Sequence, residues 1–231
     1  QHPNTGFYLD GDMPMPPLPP VFTADLRNQM ASGKSVMFDL QNANGSVFAV
    51  NGEAPTILYL MNPRGRDYVF KGTGTTGNGQ LIKSMQGTAT FNCNLGHTGK
   101  NIISEGTLEV NGDIAGPVEL RARGTLAGNM TLNDTITFEG ALNYEGCRLI
   151  PGNAMTSKKS MTLPGNVYLE YNAGDNSKLL VEGDLTFKNT NCITVNLGST
   201  EAAEYVIAEC TGTLTCDVTK LQTRGLEGIN Y

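Results

Sequence analysis

The chain has 231 residues, enough for one large domain whose core needs no staple, and carries a net charge of −6 from 22 acidic and 16 basic residues. No stretch gathers the Lys/Arg stripe that neutralises a phosphate backbone, and no run approaches the roughly 20 apolar residues of a membrane helix, so neither nucleic acid nor a helical membrane span is expected. Twenty-eight glycines, no tryptophan and only 16% charged residues predict short strands joined by tight turns instead of long helices.

In chain order, the opening Gln1-His2-Pro3 has no signal-peptide pattern, which predicts a mature or excised chain. The Pro-rich run from Met13 to Pro20 cannot pair as a central strand and reads as an extended strap. Thr23 is placed to cap a short helix over residues 24–31, and Gly33 to end it in a left-handed turn. Leu26 and Met30 then share a face that is expected to plug the open end of a stack of strands.

From Lys34 the pattern becomes alternating strand-sized stretches between Gly, Asn and Asp: Ser35 to Leu40, Ser46 to Val50, Thr56 to Leu60 and Tyr68 to Phe70. Residues 1–66 thus form an N-terminal section of strap, capping helix and first strands, or alternatively a neighbouring unit docked on the rest. A Gly-Thr-(small or Leu) unit then recurs at Gly87-Thr88-Ala89, Gly106-Thr107-Leu108 and Gly124-Thr125-Leu126, with a looser Gly140-Ala141-Leu142, at intervals of 19, 18 and 16. A period near 20 with no room for a helix predicts an all-β fold, a right-handed parallel β-helix, whose regular repeats span residues 67–150. Leu108, Val110, Val118, Leu120 and Leu126 have the spacing of two that would stack them in inward columns.

After Pro151-Gly152 the repeat loosens into longer strands, and residues 151–231 read as irregular terminal coils or a cap. Leu226 to Tyr231 resembles the middle of a strand pattern, which predicts that the natural chain continues. Cys93, Cys147, Cys192, Cys210 and Cys216 make an odd set without C-x-x-C spacing and read as small core residues, with Cys210–Cys216 the one pair weighed as a bridge.

The stretch from Gly77-Asn78-Gly79-Gln80-Leu81-Ile82-Lys83 through Gly87-Thr88-Ala89 and His97-Thr98-Gly99 to Gly106-Thr107-Leu108-Glu109-Val110 resembles the passenger-associated β-strand repeat of autotransporters. The likeness covers roughly residues 70–135, with Met85 where glycine is usual and Ala89 where leucine is usual. It implies a right-handed β-helix within a larger secreted or cell-surface bacterial protein, at the exterior of the outer membrane or in the periplasm, with neighbouring domains as partners. The repeat brings no catalytic residues with it.

Candidate chemistry is accordingly sparse. Arg121 and Arg123, two apart and so expected on one strand face, have the chemistry to grip a uronate carboxylate or to serve a polysaccharide lyase. Tyr144, Tyr168 and Tyr171, with Tyr205, are candidates for a sugar-stacking platform. Asp10 and Asp12, and the pair Glu182 and Asp184, offer oxygen ligands to calcium but fall short of the six it prefers. Glu139 and Glu145 flank a short stretch as a carboxylate pair for glycoside hydrolysis, and His97 reads as a loop residue remote from His2. The expected function is a non-catalytic structural or interaction module of a larger protein that binds a glycan or a neighbouring domain through its flank, or serves as an accessory to polysaccharide processing; the alternative is a lyase or glycoside hydrolase acting on acidic polysaccharide.

Overall fold

The computed structural model describes residues 28–39, 45–139, 146–172, 176–188, 192–196, 206–217, 219 and 222–224; the Pro-rich strap, Thr23 and Leu26 lie outside them. Residues 28–31 are helical and end in a Schellman turn. The amide of Gly33, at φ +70°, bonds the Met30 carbonyl (3.1 Å), and that of Lys34 bonds the Gln29 carbonyl (3.1 Å). Met30 is buried in the same core as the first strands.

The chain then winds as a parallel β-solenoid. One sheet stacks β1 (Val36–Phe38), β3 (Ile57–Met61), β5 (Gln80–Ser84), β7 (Asn101–Ile103), β10 (Val118–Arg121) and β12 (Ile136–Glu139). The second runs through β2 (Ser46–Asn51), β4 (Tyr68–Thr75), β6 (Thr88–Leu95), β8 (Gly106–Val110), β11 (Gly124–Leu132), β13 (Cys147–Ser157), β15 (Val167–Asn172), β18 (Cys192–Asn196) and β21 (Gln222–Arg224). Short strands β9 (Gly112–Ile114), β16 (Leu179–Val181) and β19 (Ala208–Cys210) extend this sheet, and β14 (Met161–Leu163), β17 (Leu185–Phe187) and β20 (Leu214–Thr215) form a third. Strands β1 to β3 pair in parallel with one another or with β4 and β5, so the ladders continue from residue 36 onward.

Alternation within each strand turns every second side chain inward, and the register stacks these into columns. Tyr68, Ala89, Leu108, Leu126, Leu149 and Leu169 form one column. Ala89 is the rung beside the large Tyr68 ring. Phe48, Phe70, Phe91 and Val110 form another, with Phe70 and Phe91 stacked at 4.3 Å and 8°. The Gly-Thr-Leu units are in register, Gly124 beside Gly106 and Thr125 beside Thr107, while Thr88 pairs Thr107. The looser unit at residues 140–142 lies outside the described residues; Leu126 pairs Leu149, and that coil is longer than the one from Leu108 to Leu126. β13 runs unbroken through Pro151-Gly152, where the register shifts between Gly128 and Met130, and such a bulge accommodates a residue without an amide hydrogen.

Two ladders of backbone geometry make the corners. Gly65, Met85, Gly106, Arg123 and Asn166 all take left-handed φ between +63° and +75° just before or at the start of second-sheet strands. Met85 occupies one of these strained positions. On another corner Asn94, Asn111 and Asn129 accept from the amides of Asp113, Asn129 and Ala154 one coil on, at 2.9 to 3.2 Å. Gly128 sits there at φ +112°, where a Cβ would meet the Val110 carbonyl at 2.4 Å.

Two inward positions are polar. Lys83 takes the place of an aliphatic in the column Phe38, Leu60, Lys83, Ile103, Leu120. Fully buried, its ammonium reaches the corner and donates to the carbonyls of Ser84 (3.1 Å), Met85 (2.7 Å) and Glu105 (3.2 Å). Asn101 interrupts the column Leu81, Asn101, Val118 and hydrogen-bonds His97 at 2.9 Å. His97 is a loop residue after β6, as expected, and is buried there: Nε2–H donates to Asn101 Oδ1, which fixes Nδ1 as acceptor from the Thr75 hydroxyl at 2.7 Å.

Candidate anion-binding groove

The corner carrying the left-handed residues borders an open groove of about 570 Å³. Its walls follow from the repeat. Along the corner, each coil contributes one residue ahead of its second-sheet strand: Arg64 before β4, Gln86 before β6, Glu105 before β8 and Arg123 before β11. Along the adjoining sheet face, an outward column supplies Thr107, Thr125, Arg148 and Tyr168, paired rung to rung. The groove therefore runs across the strands, parallel to the stacking direction, with rungs about 4.8 Å apart.

Three guanidinium groups face one carboxylate in this lining. Arg64, Arg123 and Arg148 are exposed, and among the described residues Arg148 has no carboxylate within ion-pair distance. Glu105 Oε1 lies 4.0 Å from Arg123, a loose contact at the surface worth about 0–1 kcal/mol. Arg123 holds a conformation (φ +69°) that glycine would adopt without strain. Tyr168 lies over Gly146: a Cβ on that glycine would come within 2.2 Å of the ring, so only glycine lets the phenol rest against the groove end.

The two arginines singled out by spacing part company. Arg121 ends β10, shares its outward face with Glu119 and contacts both it and, at 4.0 Å, Glu139 of the next rung. The chain turns at Ala122, so Arg123 leaves the strand for the left-handed corner and the two do not share a face. Glu119 also takes Lys100 at 2.7 Å, and these two cations hold its carboxyl below the usual range despite its burial. This cluster ties neighbouring coils together and keeps Arg121 out of the groove.

Tyr168 lines the groove, whereas Tyr171, an odd number of residues away on β15, points to the opposite face and is buried. Tyr144, Tyr205, Asp10, Asp12, Glu145 and His2 lie outside the described residues. Glu182 and Asp184 flank Gly183 in a turn (φ +141°), not along a strand. Glu182 pairs with Lys158, and Asp184 accepts from the Thr213 amide at 2.7 Å. Cys93 and Cys147 are buried, and burial lifts both thiols to about 11. Cys210 and Cys216 are half-buried free thiols, and Cys210 Sγ donates to the Gly212 carbonyl at 3.6 Å. Among the described residues no three His, Cys, Asp or Glu side chains cluster as a metal site.

The chain matches no protein-family model and no curated protein. Arg64, Arg148 and the groove itself were not found by spacing within a strand. The signal that would have located the corner is the coil period: Glu105 and Arg123, one coil apart, precede the paired residues Gly106 and Gly124 and so fall on successive rungs.

Proposed function

We propose that this chain is a non-catalytic β-helical interaction module that holds an acidic polysaccharide along the corner groove, as part of a larger secreted or cell-surface bacterial protein related to autotransporter passengers. One observation carries the reading: in a chain of net charge −6, Arg64, Arg123 and Arg148, far apart in sequence, converge with Tyr168 on one open groove. Guanidinium forks suit carboxylates, the threonine hydroxyls and Gln86 suit sugar hydroxyls, and a phenol face suits a pyranose ring. A groove open at the surface and crossing several coils suits an extended chain better than a small molecule.

Hydrolysis by a carboxylate pair requires two carboxyl groups separated by about 5–9.5 Å. Glu105 is the one carboxylate among the described lining residues. The test is binding of size-defined oligouronates by calorimetry, together with ultraviolet absorbance for unsaturated uronides and a reducing-end assay. The expected result is salt-sensitive binding that weakens in Arg64→Ala and Arg148→Ala, with no product in either assay. Accumulation of unsaturated product that Arg123→Ala abolishes would replace this reading with a lyase; binding indifferent to all three arginines would remove the groove from the function.

A further inference from the structure

The groove is not uniformly cationic. In rung order its corner wall reads Arg64, Gln86, Glu105, Arg123, so a neutral amide and a carboxylate separate two guanidinium groups. Three rungs of about 4.8 Å set the backbones of Arg64 and Arg123 roughly 14 Å apart.

Glu105 is held in this wall by the fold. Its carbonyl accepts from the buried Lys83 ammonium at 3.2 Å. The next residue, Gly106, turns at φ +71° in a space where a Cβ would meet the Met85 carbonyl at 2.2 Å and Lys83 Nζ at 2.7 Å. The backbone at Glu105 is therefore fixed at this corner. That side chain is 28% exposed, so the carboxylate faces whatever lies in the groove.

We infer that Glu105 is a specificity-determining residue that selects acidic glycans whose carboxylates are separated by uncharged sugar units, and rejects chains charged at every residue. The inference rests on the anionic-glycan reading of the groove. A sparsely charged chain places its carboxylates at Arg64 and at Arg123 with Arg148, and presents hydroxyls, as donors, to the Glu105 carboxylate and Gln86 between them. A chain charged at every unit must set a carboxylate beside Glu105. Two like charges about 5 Å apart repel by enough, even at the dielectric constant of bulk water, to weaken binding at least about fourfold.

The experiment compares hyaluronan oligosaccharides, in which uronate alternates with an N-acetylhexosamine, with oligogalacturonates of equal length at one ionic strength, on the full chain. The wild type should prefer the alternating oligomer at least about fourfold, and Glu105→Gln, isosteric and checked for an unchanged melting temperature, should erase most of that preference by strengthening oligogalacturonate binding. Equal or tighter wild-type binding of oligogalacturonate, or a Glu105→Gln effect that is the same for both oligomers, overturns the role of Glu105 while leaving the groove reading in place. Binding of neither oligomer, or binding that survives Arg64→Ala and Arg148→Ala unchanged, overturns the groove reading and this inference with it.

Discussion

Replacing Lys83 by methionine keeps the length of the stem in its column while removing the ammonium from the three carbonyls of Ser84, Met85 and Glu105. A hydrogen bond to a charged group is worth about 1.5–3 kcal/mol, and an acceptor left buried without a partner costs about 1–3 kcal/mol. Against this stands the burial of a cation, which lowers the lysine from 10.5 to about 8 even though Glu105 and Asp67 oppose the fall, a displacement equivalent to about 3 kcal/mol. Methionine relieves that burial penalty but leaves three carbonyls without their donor, at about 1–3 kcal/mol each, so Lys83→Met is expected to lose about 3 kcal/mol at pH 7, read from the urea midpoint at constant slope. The pH dependence separates this account from simple loss of packing. Because the folded chain releases this proton at lower pH than the unfolded chain does, the unfolded state binds more protons between about pH 8 and 10.5, and stability from this group rises across that window. From pH 8 to 9 the wild type should gain about 1 kcal/mol over Lys83→Met. The buried thiols of Cys93 and Cys147, which act in the opposite direction above pH 9, are common to both chains and cancel in the difference. A loss below about 1 kcal/mol, or a difference that does not change between pH 8 and 9, refutes the reasoning.

Burial lowers His97, so the unfolded chain takes up a proton below about pH 6.5 that the folded chain resists. Stability should fall with acid by up to about 1.4 kcal/mol per pH unit relative to His97→Gln, and a flat difference between pH 7 and 5 in urea titrations removes the claim. Met85→Gly should relieve a left-handed residue (φ +64°) that costs about 1–2 kcal/mol, less about 0.5–1 kcal/mol for glycine's added freedom in the unfolded chain, and raise Tm by up to about 3 °C. In the equivalent corner Gly106→Ala should do the reverse, since its Cβ would press on the Met85 carbonyl; calorimetric melting of both variants decides.

The solenoid was legible because its signal is local and repeated. Gly106-Thr107-Leu108 and Gly124-Thr125-Leu126 are both similar in sequence and adjacent in space, and the inward positions Leu108, Val110, Leu120 and Leu126 are all buried. The spacing widens after residue 126, since the coil from Leu126 to Leu149 is longer than the one from Leu108 to Leu126. Parity within a strand was also available: Tyr168 and Tyr171, three apart, must face opposite ways once they share β15. Polar residues at inward positions were harder to read, since Leu81-x-Lys83 and Asn101-x-Ile103 look like half-exposed strands unless something inside satisfies the polar group. The corner carbonyls do so for Lys83, and His97 for Asn101.

The groove escaped the sequence for a different reason. Arg121 and Arg123 invited a pairing by strand parity, but parity ends where the strand ends, and the left-handed turn at Arg123 sends the two side chains to different surfaces. What joins Arg64, Glu105 and Arg123 is their place at the corner of successive coils, with Arg148 on the adjoining outward column. The coils closed by Tyr68 with Ala89, Ala89 with Leu108, Leu108 with Leu126 and Leu126 with Leu149 are unequal in length, and Arg148 stands on a strand instead of the corner, so no fixed spacing in the sequence connects the four. A solenoid converts residues a coil apart into neighbours about 4.8 Å apart, which lets substitutions at one corner build a charge pattern along the axis while the inward columns stay aliphatic. The chemistry of such a fold is therefore written across its coils, one residue per turn, and the order Arg64, Gln86, Glu105, Arg123 is the part of that pattern with the sharpest consequence for what binds.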